Sequence, residues 1–94
     1  MVSLWLRNDD VRAFEEFEKR TAKVLARHGG RIERVIRSTK ADAETPFEIH
    51  IVSFPDQQSY ADYGSDPEAQ ELAAEREKII SRTTVVEGFD GTLY

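Results

Sequence analysis

The chain has 94 residues, a formal net charge of −5 and no cysteine. This length predicts one domain over residues 1–94. Without cysteine, the chain can form neither disulfide bonds nor thiolate metal sites, and thiol catalysis is excluded. The two histidines, His28 and His50, lie far apart in the sequence. We therefore expect neither a metal nor any other cofactor.

The charge pattern and hydropathy predict which partners are absent. A nucleic-acid-binding protein usually carries a basic stripe, whereas acidic and basic residues are interspersed in this chain. We therefore expect no nucleic-acid partner. No run approaches the ~18 apolar residues of a membrane span, and residues 1–6 begin a strand rather than a signal peptide. These features predict no membrane association and a cytoplasmic location.

The chain opens with a predicted strand and a strongly amphipathic helix. Apolar residues alternate over residues 2–7, which places Leu4 on one face of the strand and Trp5 on the other. Over residues 10–28, apolar residues recur at steps of three and four, which predicts a helix. An aspartate supplies its N-cap, and two glycines end it.

The middle of the chain predicts two antiparallel strands joined by a polar loop. Residues 31–36 form the first strand, residues 38–46 form the loop, and residues 47–54 form the second strand. The second strand has the clearest alternation of apolar and polar residues in the sequence. The loop has no periodicity and contains a proline at its end, as expected of a surface connection.

The last third predicts a broken helical region and a final strand. Helical features run over residues 55–80, but Gly64 interrupts them and Asp66 starts a new helix as an N-cap before a proline. A fourth strand is expected over residues 83–87. The resulting order, strand–helix–strand–strand–helix–strand, predicts an α+β fold of the ferredoxin-like type with a four-stranded antiparallel sheet.

The predicted sheet has apolar residues on both faces, and two helices cover only one face. The covered face is expected to carry Leu4, Leu6, Ile49 and Ile51. The opposite face is expected to carry Trp5, Glu48, His50, Val52, Phe54 and an arginine of the second strand. Exposed apolar patches usually mark an interface, so we predict a homodimer through sheet-to-sheet packing. A one-residue slip in any strand would invert its faces.

One segment of the sequence resembles a known family. A strand ending in Phe54 and Pro55, a helix carrying Tyr60 and Tyr63, and the residues 65–68 that open the next helix form the matching pattern. On these residues the chain resembles domain of unknown function 1330 (DUF1330), a relative of the antibiotic-biosynthesis monooxygenases. The resemblance implies a dimeric α+β barrel with ferredoxin-like subunits, and it implies no established reaction.

His50 is the candidate catalytic residue, because an imidazole can act as an acid or a base near neutral pH. The candidate substrate-binding residues are Trp5, Arg34, Glu48 and Tyr63. Trp5 could form an aromatic wall and Arg34 could hold a carboxylate in a bidentate pair. Each of these residues also has a structural interpretation, as a packed or paired side chain in the core or at the interface.

Two functions are compatible with these residues. The first is an uncharacterised homodimeric protein that acts as a structural module or binds a small-molecule ligand. The second is a cofactor-independent enzyme, monooxygenase-like or isomerase-like, that acts on a small organic substrate with His50 as acid–base. An enclosed pocket at His50 would favour the enzyme, whereas a buried His50 without a cavity would favour the first function.

Overall fold

Three helices and four strands form the computed structural model, which describes all 94 residues. In chain order the elements are β1 (Val2–Leu6), α1 (Val11–Arg27), β2 (Arg31–Arg37), β3 (Glu48–Ser53), α2 (Gln57–Ser65), α3 (Pro67–Ile79) and β4 (Ile80–Val85). The strands form one antiparallel sheet in the order β2-β3-β1-β4. The predicted α+β class and four-stranded antiparallel sheet are therefore confirmed. None of the helices is long and apolar enough to cross a membrane.

The helix boundaries follow local capping chemistry. The Asp10 carboxylate accepts a hydrogen bond of 3.0 Å from the backbone N–H of Ala13, which caps α1. Gly29 follows α1 with a φ of +74°, a conformation that glycine adopts without strain. Asp66 separates α2 from α3 and caps α3 with its side chain, as predicted. β4 begins at Ile80, three residues earlier than predicted, and Ile80 is buried in the core.

The core lies between the sheet and the helices α1 and α3. Its apolar members are Leu4, Phe14, Phe17, Val24, Ala69, Leu72 and Ile80. α1 contributes the largest fully buried side chains, because its stripe of apolar residues faces the sheet. α2 contributes no fully buried residue and lies at the margin of this core.

The structure corrects the predicted orientation of β3. Val2 pairs with His50 and Leu4 pairs with Glu48 across β1 and β3. Residues that pair directly across antiparallel strands project to the same side of the sheet. Because Leu4 is in the core, Glu48 and His50 also lie under the helices, where each is only 4% exposed. The prediction that they share the face of Trp5 is wrong.

The predicted sides of the other β3 residues are inverted as well. Val52 lies on the covered side, and the ring of Phe54 packs against the two tyrosines of α2, so their predicted placement is wrong as well. Ile49 and Ile51 lie instead on the side that no helix covers. We call this side the open face; the residues of β1, β2 and β3 that lie on it are Ser3, Trp5, Arg31, Arg34, Ile36, Ile49, Ile51 and Ser53. The prediction failed because the more apolar side of β3 is the uncovered one.

A β-bulge in β2 determines which of its residues reach the open face. Between Ile32 and Arg34 the pairing register with β3 shifts, so Glu33 is an extra residue. The shift places Arg34 opposite Ile51 and Ile36 opposite Ile49. A basic side chain therefore lies at the edge of an apolar strip.

Candidate functional site

Three ionisable side chains meet between α1 and β3, and we call them the buried polar cluster (Glu18, Glu48, His50). His50 Nε2 lies 2.6 Å from Glu48 Oε1, and His50 Nδ1 lies 3.7 Å from Glu18 Oε2. The side chains of Glu48 and His50 are 6% and 5% exposed, and that of Glu18 is 16% exposed. Both ring nitrogens of the imidazole therefore face carboxylates in an environment almost free of water.

Arg37 of β2 compensates the charge of Glu48. Its Nε donates a hydrogen bond of 2.8 Å to Glu48 Oε2, and its Nη2 lies 3.4 Å from Glu15 Oε2 on α1. Hydrogen bonding to Glu48 raises the pKa of the Arg37 guanidinium further above its ordinary value. The guanidinium also lies 4.7 Å from the ring centroid of Phe47. Arg37 thus links β2, β3 and α1 at the outer end of the cluster.

The inner end of the cluster reaches α2 and α3. Burial raises the pKa of Glu18, and the charges of His50 and Arg76 oppose this effect. Burial also raises the pKa of the Tyr63 hydroxyl, and the charge of Arg76 opposes this effect. The Nε of Arg76 is itself buried without a hydrogen-bond partner. A line of polar side chains therefore runs from β2 beneath α1 to α3.

This geometry orients an imidazole and supplies it with a proton acceptor, which are the requirements of an acid–base group. A substrate would have to touch the ring, however, and α1 covers it. In the described conformation the cluster joins α1 to the sheet through the 3.7 Å contact between Glu18 and His50, and the hydrogen bond from Arg37 to Glu15 adds a second link. Partners of this kind are required wherever charged groups are buried.

The structure divides the predicted site residues between the two sides of the sheet. Trp5 and Arg34 lie on the open face, whereas Glu48 and His50 lie on the covered face. Tyr63, on α2, is partly buried against the core on the covered side. The five residues therefore do not converge on one pocket within the chain.

Trp5 borders a cleft of about 340 Å³ at the end of β1. Apolar walls are formed by Trp5, Leu6, Val11 and Phe47, and two aspartates lie on the polar side. The guanidinium of Arg82 lies 4.5 Å from the Trp5 ring centroid. The cleft is open to solvent rather than enclosed.

Glu18 of the buried polar cluster and its neighbour Arg37 were not predicted as site residues from the sequence. Glu18 lies four residues after Phe14 and three before Thr21, so it interrupts the buried stripe of α1. A carboxylate in such a stripe indicates a buried polar partner. Arg37 lies one residue beyond the predicted second strand, and its pairing with Glu48 depends on the β-bulge.

The other histidine, His28, has a structural role at the end of α1. His28 Nε2 lies 2.8 Å from Asp66 Oδ2, which joins the end of α1 to the junction of α2 and α3. Hydrogen bonding with His28, followed by that from the backbone N–H of Glu68, lowers the pKa of the Asp66 carboxyl. The Asp66 carboxylate thus caps α3 with one oxygen and contacts the His28 ring with the other.

Comparison with known families supplies a family assignment. The model of the family described as "Domain of unknown function (DUF1330)" matches residues 3–89. The chain belongs to this family. The prediction of a DUF1330 protein is confirmed. The match covers all of the helices and strands except Val2, the first residue of β1. No curated protein and no solved structure matches the chain.

In this DUF1330 protein, replacement of Glu18 with glutamine should change the pH dependence of stability. Because burial raises its pKa above 4.5, the folded chain holds this proton more tightly than the unfolded chain. The resulting stabilisation is complete below pH 4.5 and is lost as the pH rises through the folded pKa. We expect Glu18→Gln to raise the free energy of unfolding at a pH of about 7.5, with little change near a pH of about 4.

Urea unfolding at the two pH values measures this difference. Glu16→Gln is the matched control, because Glu16 is an exposed residue of the same helix. An equal effect of the two substitutions on the pH dependence would contradict the role assigned to burial of Glu18.

Proposed function

We propose that this DUF1330 protein is a homodimer of ferredoxin-like subunits, a dimeric α+β barrel that serves as a small-molecule-binding or structural module. The observation that carries the proposal is the orientation of β3. Its ionisable residues Glu48 and His50 are buried under the helices, whereas its isoleucines lie on the open face. Ile36 and Ile51 remain 42% and 37% exposed there. An apolar sheet face of this kind is expected to be covered by a second copy.

The order and direction of the strands support the ferredoxin-like part of the proposal. Each half of the chain runs strand, helical segment, strand, and the first strands of the two halves, β1 and β3, are central neighbours. All helices must then cross the same side of the sheet for both connections to be right-handed. The open face is therefore a consequence of both connections crossing the same side of the sheet.

Replacing Ile51 with lysine should convert a dimer into a monomer. The lysine would bring an unpaired charge into the proposed interface beside Arg34, and we expect the dimer dissociation constant to rise at least about 100-fold. Sedimentation equilibrium over a range of protein concentrations measures this constant, and light scattering gives the mass directly.

Val35→Lys is the matched control for this experiment. Val35 is 50% exposed on the neighbouring strand, but its pairing with His50 places it on the covered side of the sheet. We expect this variant to dimerise like the wild type. A monomeric wild type at all concentrations, or equal effects of the two lysines, would overturn the proposed dimer.

The small-molecule-binding part of the proposal is supported by the cleft beside Trp5, for which we propose a small neutral aromatic ligand. Trp5 is the single tryptophan, so its fluorescence reports directly on this cleft. The enzyme alternative is less well supported, because His50 is not among the residues that line the cleft and its side chain is 5% exposed. Binding therefore requires no movement of α1, whereas catalysis by His50 does.

Titration with benzyl alcohol, with cyclohexanol as the aliphatic comparison, should give a saturable change in Trp5 emission. Ala43→Leu, which adds volume to the lining of the cleft, should abolish it. Ala61→Leu, on the exposed surface of α2, should leave the response unchanged. A linear response to both alcohols, or one that Ala43→Leu leaves intact, would reject this site.

A further inference from the structure

Asp90 and Gly91 form an aspartyl-glycyl pair in the segment of residues 87–94, which follows β4 and belongs to no helix or strand. In such a pair the backbone nitrogen of the glycine can attack the side-chain carbonyl carbon of the aspartate, which gives a five-membered succinimide ring. Glycine favours this step because it has no Cβ to restrict the backbone or obstruct the approach. The surrounding structure determines whether the pair reacts.

The structure leaves both reacting groups free. The Asp90 carboxylate forms no hydrogen bond or ion pair within the chain, and the backbone N–H of Gly91 donates no hydrogen bond. The last hydrogen bond of the segment joins Glu87 to the Tyr60 hydroxyl, three residues before Asp90. All of residues 87–94 are exposed, and a Cβ at Gly91 would meet no heavy atom within 4 Å. No contact there opposes rotation of the backbone into the cyclising geometry.

The other six aspartates of the chain lack this combination, and none of them precedes a glycine. Four carboxylates accept hydrogen bonds from backbone N–H groups two or three residues further along the chain, namely those of Asp10, Asp42, Asp56 and Asp66. Asp62 accepts a hydrogen bond from Gln58 on α2. For Asp9, the nitrogen that would attack belongs to Asp10, and its N–H donates to the side chain of Asn8. Local hydrogen bonds therefore restrain each of the six.

We propose that Asp90 is a site of spontaneous isomerisation, at which the folded chain converts aspartate into isoaspartate. A bond forms between the Gly91 nitrogen and the Asp90 side-chain carbonyl carbon, and the carboxyl hydroxyl leaves with the amide proton as water. Water then adds to either carbonyl of the ring. Addition at the side-chain carbonyl restores aspartate, whereas addition at the main-chain carbonyl gives isoaspartate. The water lost is regained, so the mass is unchanged and neither an oxidant nor a reductant is needed.

The product changes the segment and leaves the fold intact. Isoaspartate routes the main chain through the side chain of Asp90, which lengthens it by one carbon and leaves the α-carboxylate as a side group. Leu93 and Tyr94, which lie beyond this point and are fully exposed, are thereby redirected. The segment contributes no residue to the core or the sheet, so we expect the free energy of unfolding to stay the same. The inference does not depend on the proposed homodimer.

Ageing of the purified protein at neutral pH and physiological temperature tests the proposal. Trypsin cleaves after Arg82 and releases residues 83–94 as one peptide, whose aspartyl and isoaspartyl forms have equal mass and are separated by liquid chromatography. Endoproteinase Asp-N cleaves before Asp90 only in the aspartyl form, which identifies the isomer. We expect a second peak that grows with time for this peptide, and none for the peptides that contain the other six aspartates.

Gly91→Ala and Gly88→Ala are the matched pair of variants. Both glycines lie in the same exposed segment, and a Cβ at either would meet no heavy atom within 4 Å, so both variants should stay folded. We expect Gly91→Ala to slow isomerisation at least about tenfold, because its Cβ restricts the backbone at the attacking nitrogen. Gly88→Ala should leave the rate unchanged. Equal rates in the two variants would contradict attack by the Gly91 nitrogen.

A synthetic peptide of residues 83–94 shows whether the fold restrains Asp90. We expect the folded protein and the peptide to isomerise at similar rates, because nothing in the structure holds the pair. A rate about tenfold lower in the folded protein would overturn the proposal, since it would show that the segment is held in solution. Absence of isomerisation from both would overturn it as well.

Discussion

Replacing His50 with alanine is expected to lower the free energy of unfolding by about 3 kcal/mol, because it leaves the buried carboxylate of Glu48 without its closest partner. Arg37 remains in contact with Glu48 and limits the loss. Urea unfolding at fixed protein concentration measures the change, since dimerisation would make stability depend on concentration.

A double-mutant cycle separates the pair from the two side chains. His50→Leu and Glu48→Met each break the pair, whereas the double variant replaces it with apolar groups of similar length. Because the double variant leaves no member of the pair unpaired, we expect it to be less destabilised than the sum of the single variants. Simple additivity would mean that the 2.6 Å contact contributes nothing to stability.

His28→Ala is the matched control for His50→Ala, since these are the two histidines of the chain. The side chain of His28 is 22% exposed, so water can partly replace it beside Asp66. We expect a distinctly smaller loss than for His50. Equal losses would show that burial does not govern the contribution of these imidazoles.

Replacing Phe17 with alanine is expected to cost about 4 kcal/mol, a large part of the roughly 5–15 kcal/mol that typically stabilises a small domain. Phe17 is 0% exposed at the centre of the core. The guanidinium groups of Arg20 and Arg76 also lie 5.8 Å and 5.9 Å from its ring centroid. The substitution therefore removes both buried area and two cation–π contacts.

Phe17→Leu provides a graded comparison for this experiment. Leucine keeps much of the buried volume but loses the ring, and we expect a loss of roughly 1–2 kcal/mol. Thermal unfolding should show the same ranking, with the midpoint falling by roughly 4–8 °C per kcal/mol. If the alanine variant were no less stable than the leucine variant, the core would have to close completely around the cavity.

The helices could be predicted from sequence because the interactions that define them are local. The Asp10 cap lies within three residues of its hydrogen-bond partner, and the junction at Asp66 is set by an aspartate that precedes a proline. The buried stripe of α1 also follows from spacing alone. The strands were located within three residues at each end, since alternation and turn residues mark them.

The candidate site could be predicted only in part. His50 and Glu48 were selected by their chemistry, and their separation of two residues on one strand correctly places them side by side. Glu18 and Arg37 belong to other elements, and they reach the cluster only through the packing of α1 on β3 and the bulged pairing of β2. Contacts of this kind depend on the relative position of elements, which local patterns do not contain.

The sequence by itself determined the family, the order of the elements and the residues that share each side of β3. Only the tertiary structure decided which side faces the helices. Because side chains alternate along a strand, Ile49 and Ile51 share one side and Glu48 and His50 share the other. The alternation is the same whichever of the two pairs faces the helices. The decision came from β1, whose pairing sets Leu4 beside Glu48, and from α1, whose Glu18 meets His50 beneath the helix.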